Sequence, residues 1–234
     1  MLGPGEKSQF LEQGYFHARG VLQGEHLQQI REEFDRVYRL EGRCHRTRLL
    51  KYKPFINLIE HAPILDRHYA IFGKQTQLLQ YDLVCQPPKS GNPIRSWHRD
   101  FSFPGDRPLS INTILFLDDI TPERGPTYVV PGSHRGEAMP PLKERIHEPL
   151  KNEVAVCAAA GDAIFINSAI WHSGGTNASD GPRRGIYLYY GYWWLKQYHA
   201  EEAHPWQALE NAGEQRLRLL GVKMPDNDIH MYEP

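Results

Sequence analysis

The chain has 234 residues, 27 basic and 28 acidic side chains, 12 histidines and a net charge of −1. Its hydrophobic (40%) and charged (24%) fractions are those of a globular protein and exclude collagen-like, wholly disordered and coiled-coil chains. The balanced charge gives no long-range field to gather nucleic acid or an anionic membrane, and no run approaches the ~20 apolar residues of a membrane span. Cys44, Cys85 and Cys157 are odd in number and lack CxxC spacing, so neither a disulfide framework nor a zinc ribbon is expected. A reduced setting is expected. With no apolar leader core after Met1 and no retention or peroxisomal address at the C-terminus, the expected location is cytoplasmic.

Taken in chain order, Ser8–Glu12 reads as a short helix and Tyr15–Val21 as an extended segment. Residues 24–40 place Leu27, Ile30, Phe34, Val37 and Tyr38 at spacings of three and four with charges between, the pattern of an amphipathic helix. From residue 77 the pattern changes. Residues 77–86, 94–101, 109–117, 127–131, 153–158, 162–171 and 184–195 are β-branched and aromatic runs separated by Gly, Pro, Asp and Asn. Many short strands with turn-rich links mean a sandwich or closed barrel. Residues 204–221, with Trp206, Leu209, Leu217 and Leu220 ahead of Gly221, read as a second helix. With no linker or repeat evident, residues 1–234 are expected to form a single domain: a helical N-terminal layer over about 1–75, a β core over about 77–195 and a C-terminal helix over about 204–221.

The chemistry is concentrated in Ser96-Trp97-His98-Arg99-Asp100. On a strand, residues two apart share a face, so His98 and Asp100 would point into one cavity and offer an imidazole nitrogen and a carboxylate oxygen to a divalent metal. His172, at the end of the apolar run Ala163–Trp171, is the third candidate. Two histidines and one carboxylate on one side of an ion make the facial triad of non-haem Fe(II) oxygenases, with the opposite side open. Arg183 opens the next strand. A guanidinium near the metal would hold the far carboxylate of a dicarboxylate that chelates it, while Arg184 would point the other way.

The chain resembles the phytanoyl-CoA dioxygenase family of Fe(II)/2-oxoglutarate-dependent oxygenases. The resemblance is carried by Trp97-His98-Arg99-Asp100, the run from Gly125 to His134, Gly161-Asp162, Trp171-His172-Ser173-Gly174 and Gly181-Pro182-Arg183, with Phe10–Leu22 similar to the family's opening segment. It implies a mainly β fold, a double-stranded β-helix (a jelly-roll, cupin-like barrel) with flanking N- and C-terminal α-helices. It implies His98, Asp100 and His172 as Fe(II) ligands, Arg183 as the 2-oxoglutarate clamp, O2 as the oxidant, and hydroxylation of a small-molecule C–H bond with release of succinate and CO2. Family halogenases lack the carboxylate ligand, so Asp100 favours hydroxylation.

Other residues carry two readings each. Gln80 faces the barrel to meet co-substrate or substrate, or packs within it; Asn112 and Thr113 assist 2-oxoglutarate or only pack. Trp97 and Trp171 alternate away from their histidine neighbours and read as core. His134, in Pro-Gly-Ser-His, reads as a loop hydrogen bond rather than a ligand. The basic run 43–53 is a solvated face, or a lip recruiting an anionic substrate. Two other functions stay open: a metal-dependent, non-oxidative cupin-type enzyme, which has no need of a dicarboxylate clamp, and a non-catalytic jelly-roll binding module. Loops 43–60, 101–108 and 135–152 are expected to shape the pocket.

Overall fold

The computed structural model describes residues 3–91, 95–101, 103–105, 107–140 and 149–225. The β-rich runs pair into two antiparallel sheets. The larger contains β1 (Tyr15–Ala18), β2 (Thr76–Gln86), β3 (Ser110–Phe116), β6 (Ala163–Asn167) and β8 (Arg183–Tyr192), in the order β1-β6-β3-β8-β2. The smaller contains β4 (Thr127–Val130), β5 (Val154–Val156) and β7 (Trp171–Gly174), in the order β5-β4-β7. Ile114, Phe116, Ile164 and Ile166 of the larger sheet and Val129 and Val156 of the smaller share one buried cluster, so the inner faces pack together as a jelly roll.

The outer face of the larger sheet is covered by helices: α1 (Pro4–Gln13), α2 (Gly24–Glu41), α3 (Arg46–Leu49), α4 (Lys53–Leu58) and α5 (Ala62–Phe72). Ile30, Phe34 and Val37 of α2 and Ile64, Leu65 and Phe72 of α5 join Leu78, Tyr81, Leu83, Leu115, Phe165, Ile186, Leu188 and Tyr190 in the main core. Strand alternation then decides what lies inside the barrel. A bulge between Leu78 and Gln80 inserts one residue. Leu78 and Tyr81 therefore both face the helices, and Gln80 and Asp82 both face inward.

Three expected elements differ. Residues 94–101 do not form a strand: Ile94 lies outside the described residues, and the rest make a single bridge, His98 to His172. The donors go elsewhere: Ser96 N–H to the Ser173 hydroxyl, and Asp100 and Phe101 N–H both to the Ser168 carbonyl. Residues 162–171 are not one strand but two, in different sheets. Asn167 Oδ1 accepts the Ala169 N–H and its carbonyl accepts that of Ile170, an Asx-type turn that ends β6 and starts β7. The helix expected over 204–221 is broken into α6 (Trp206–Leu209) and α7 (Glu214–Leu219). Asn211 adopts φ +52° and Gly213 caps α7, a conformation and a composition that interrupt helical periodicity.

The Gly161-Asp162 pair anchors β6. Asp162 accepts hydrogen bonds from the Gly20 and Ala159 N–H groups and from His17 Nε2. Gly161 has φ +90°, and a Cβ there would collide with the Leu22 carbonyl oxygen, which is backbone and cannot swing aside. Gly161→Ala is therefore expected to cost about 2–4 kcal/mol, read as a drop in denaturant midpoint. A midpoint within error of the unsubstituted protein would show that the turn relaxes freely. Among the described residues, no helix is long and apolar enough to cross a membrane.

Candidate metal centre

His172 lies on β7, opposite Val129 of β4. On the other side of β7 it exchanges both backbone hydrogen bonds with His98, each 3.1 Å. Residues paired in this way project side chains to the same face, and the two imidazoles stand 4.2 Å apart centre to centre. Asp100, two residues on, brings Oδ1 to 3.7 Å from His98 Nε2 and 3.6 Å from His172 Nε2. One donor atom from each of the three lies within 4.8 Å of the others. The expectation of a shared face thus holds in space, although a bridge and two irregular bonds to Ser168 produce it instead of a strand.

The hydrogen bonds orient the rings. His98 Nδ1 donates to the Ser96 carbonyl at 2.8 Å and His172 Nδ1 to the Ile170 carbonyl at 3.1 Å. A carbonyl only accepts, so each Nδ1 carries a proton and each ring turns its Nε2 toward Asp100, where it is placed to ligate. Burial pushes the His172 pKa down, partly opposed by the Asp100 carboxylate, which favours the neutral, ligating form. Asp100 Oδ2 is buried with no hydrogen-bond partner. Three ligand-type atoms thus converge with no other described donor between them, an arrangement that fits a cation.

Arg183 is 4% exposed. Its partners are neutral: the Tyr187 hydroxyl at 3.1 Å and the Thr127 hydroxyl at 3.4 Å, with the Phe116 ring beneath, and Nε has no partner. Thr127 lies two residues along β4 from Val129, the partner of His172. The guanidinium thus sits roughly one strand repeat, ~7 Å, from the row holding His172. A buried cation with no described carboxylate against it costs free energy that an incoming anion returns. Arg184 faces outward, bonded to Asp118 and Asp35, as alternation requires.

The inner face of the larger sheet completes the cavity. Gln80, Tyr189 and Asn112 lie in one cross-strand row; Asp82, Tyr187 and Ile114 lie in the next. Gln80 donates its amide to Asp82, and Asn112 Oδ1 is buried without a partner. Thr113 is not in this cavity: it alternates to the helical face, where its hydroxyl meets His68 Nε2 at 2.8 Å. Asp82 and Tyr189 were not singled out from the sequence. The signal existed in the Gln80-x-Asp82 alternation, but it needed the bulge to set its phase. Burial pushes the Asp82 carboxyl up, and the Tyr189 phenol well up, so the phenol stays protonated.

His134 bonds the Leu11 carbonyl, a structural loop contact. Trp97 is buried at 5% exposure, whereas Trp171 is half-buried and donates its indole N–H to the Ala138 carbonyl. In the basic run, Arg46 is 1% exposed and donates to the Tyr198 and His199 carbonyls and to His204, and Arg48 pairs with Glu41. Of the loops expected to shape the pocket, residues 102, 106 and 141–148 lie outside the described residues.

A jelly roll carrying two histidines and one carboxylate on one flank, beside a buried arginine, is the arrangement of a non-haem metal oxygenase. The phytanoyl-CoA dioxygenase (PhyH) family model matches residues 10–185, and the chain belongs to that family. It is 39% identical over 116 residues to Dioxygenase andF of Emericella variicolor, covering 49% of this chain and 35% of that one. It is 25% identical over 205 residues to L-proline trans-4-hydroxylase of Streptomyces griseoviridis, covering 72% of each. The first curated relatives are longer: this chain spans 35% and 52% of two of them. The crystal structure of HygX from Streptomyces hygroscopicus, with nickel and 2-oxoglutarate bound, superposes with a TM-score of 0.72 at 20% identity, over 88% of this chain and 96% of that one.

Proposed function

We propose that this chain is an Fe(II)- and 2-oxoglutarate-dependent oxygenase that hydroxylates a C–H bond of a small molecule, with release of succinate and CO2. The observation that carries the reading is the pairing of the convergent His98–Asp100–His172 cluster with a buried Arg183 that meets no carboxylate among the described residues. Neither a cupin-type Lewis-acid enzyme nor a binding module needs both. Iron and 2-oxoglutarate together would supply activation of O2, the chemistry no side chain provides. His98, Asp100 and His172 would hold the metal, their rings kept in place by the Ser96 and Ile170 carbonyls. Arg183 would hold the far carboxylate of 2-oxoglutarate. Asn112, Gln80 and Tyr189 would orient bound molecules, and the Ile114, Phe116, Ile164 and Ile166 wall would exclude water.

The substrate we propose is polar and rich in hydrogen-bond donors. Asp82 and Gln80 present a carboxylate and an amide to the cavity, while Arg46 and Arg48 of the basic run are already engaged. The test is succinate release with Fe(II), 2-oxoglutarate and O2 over two panels, one of amino acids and amino sugars and one of acyl thioesters. It is accompanied by melting curves with Mn(II) as an inert stand-in. Mn(II) with 2-oxoglutarate is expected to raise the melting temperature more than either alone, and the polar panel to release succinate. Absence of both effects would sink the oxygenase reading; succinate from the thioesters alone would overturn the substrate class.

A further inference from the structure

A second group of metal-ligating side chains lies outside the centre just described. His45 precedes α3, and His199 and Glu202 follow β8; one donor atom from each lies within 4.8 Å of the others. Glu202 Oε1 is 3.9 Å from His45 Nε2 and 3.7 Å from His199 Nδ1. The other oxygen, Oε2, accepts the Thr47 hydroxyl proton. That hydroxyl oxygen is 3.4 Å from His45 Nδ1, so it accepts there, leaving Nε2 with the lone pair on the side of Glu202. Thr47 thereby sets one carboxylate rotamer and one imidazole tautomer, as an outer shell does around a metal. Glu201 Oε1, 3.8 Å from His199 Nδ1, is a fourth oxygen at hand.

The backbone holding these groups is fixed from within. Arg46 binds the Tyr198 and His199 carbonyls, and His199 adopts φ +54°, a left-handed conformation seldom taken by residues other than glycine. His45 forms a backbone bridge to Asp82, and the Tyr198 N–H binds Leu79 at the β2 bulge. The cluster thus joins the helical layer to the segment after β8, beside the wall carrying Asp82. The two rings already lie side by side, 4.0 Å apart at 15°.

We propose that His45, His199 and Glu202 bind a divalent ion of the zinc class, a second site that clamps the segment after β8 onto the helical layer. Two imidazole nitrogens and one carboxylate, with water or Glu201 in the fourth position, form a tetrahedral zinc set. The site is independent of the iron-type centre, so its test separates from that of the proposed function.

The experiment is calorimetric titration of metal-free protein with Zn(II). Two equivalents are expected for the unsubstituted chain and one for the His98→Ala/Asp100→Ala variant. Adding either His199→Asn or Glu202→Gln to that variant should weaken the remaining site at least tenfold. Asparagine tolerates the positive φ, and glutamine keeps an acceptor for Thr47, so metal-free melting curves should be unchanged and certify the fold. The clamp is overturned if the double variant binds no stoichiometric Zn(II), or if its binding survives both further substitutions. A single equivalent lost with His199→Asn but kept without His98 and Asp100 would support the clamp and refute the oxygenase centre.

Discussion

His98→Ala is expected to abolish succinate release, lowering turnover by about three orders of magnitude or more, while the fold persists. The reasoning is structural. The His98 side chain is half exposed and it is its backbone, not its ring, that bridges to His172. Removing the ring costs one of three donors and little packing. His172 is 5% exposed, so its removal would also open a cavity and confound the reading. Asp100→Asn is the informative partner. It removes a negative charge whose Oδ2 is buried and unpaired, and its amide can donate to the His172 Nε2 lone pair. The metal-free variant should melt at or above the unsubstituted protein while metal binding and turnover are lost. Turnover within tenfold of normal in both variants would remove the basis for the assignment.

Arg183→Met is expected to raise the KM for 2-oxoglutarate at least about a hundredfold, on the order of 3 kcal/mol, because a desolvated charge pair is lost. Metal affinity should be retained. Stability without co-substrate should hold or rise, since the guanidinium is buried among a phenol, a hydroxyl and an aromatic ring with no counter-charge among the described residues. Arg184→Met is the opposite case. Arg184 bonds Asp118 and Asp35, and the hydrogen bond to Asp118 pushes the Arg184 pKa up. Its loss leaves the buried Asp118 carboxylate with no guanidinium and only the backbone N–H of residue 184 as a described donor, expected to cost about 1–3 kcal/mol of stability with the 2-oxoglutarate KM unchanged. Equal KM effects from the two substitutions would show that Arg183 acts through stability and not as a clamp.

The two arginines show how far residue order alone reaches. Adjacent residues on a strand point to opposite faces, so the inward–outward split was legible at once. The same alternation places Asn112 in the cavity and Thr113 outside it, a split residue type does not reveal, because which neighbour faces inward depends on the sheet's phase. At Asp82 the phase is reset by the bulge after Leu78, and a bulge leaves no reliable mark in residue type. The turn at Asn167 had a mark, an Asx-type signal inside an apolar run, but the run's hydrophobicity concealed it. The helix over 204–221 failed for the reverse reason: its apolar spacing was present while Asn211 and Gly213 locally broke it.

Residue type and local spacing marked the His98–Asp100 pair, the Arg183–Arg184 split and the alternation of strands with turns, because these depend on neighbours a few positions apart. Only tertiary structure decided that His98 and His172 exchange backbone hydrogen bonds, that Arg183 meets no carboxylate among the described residues, and that His45 meets Glu202. Each depends on register between segments far apart in the chain, where a shift of one residue turns every side chain to the other face.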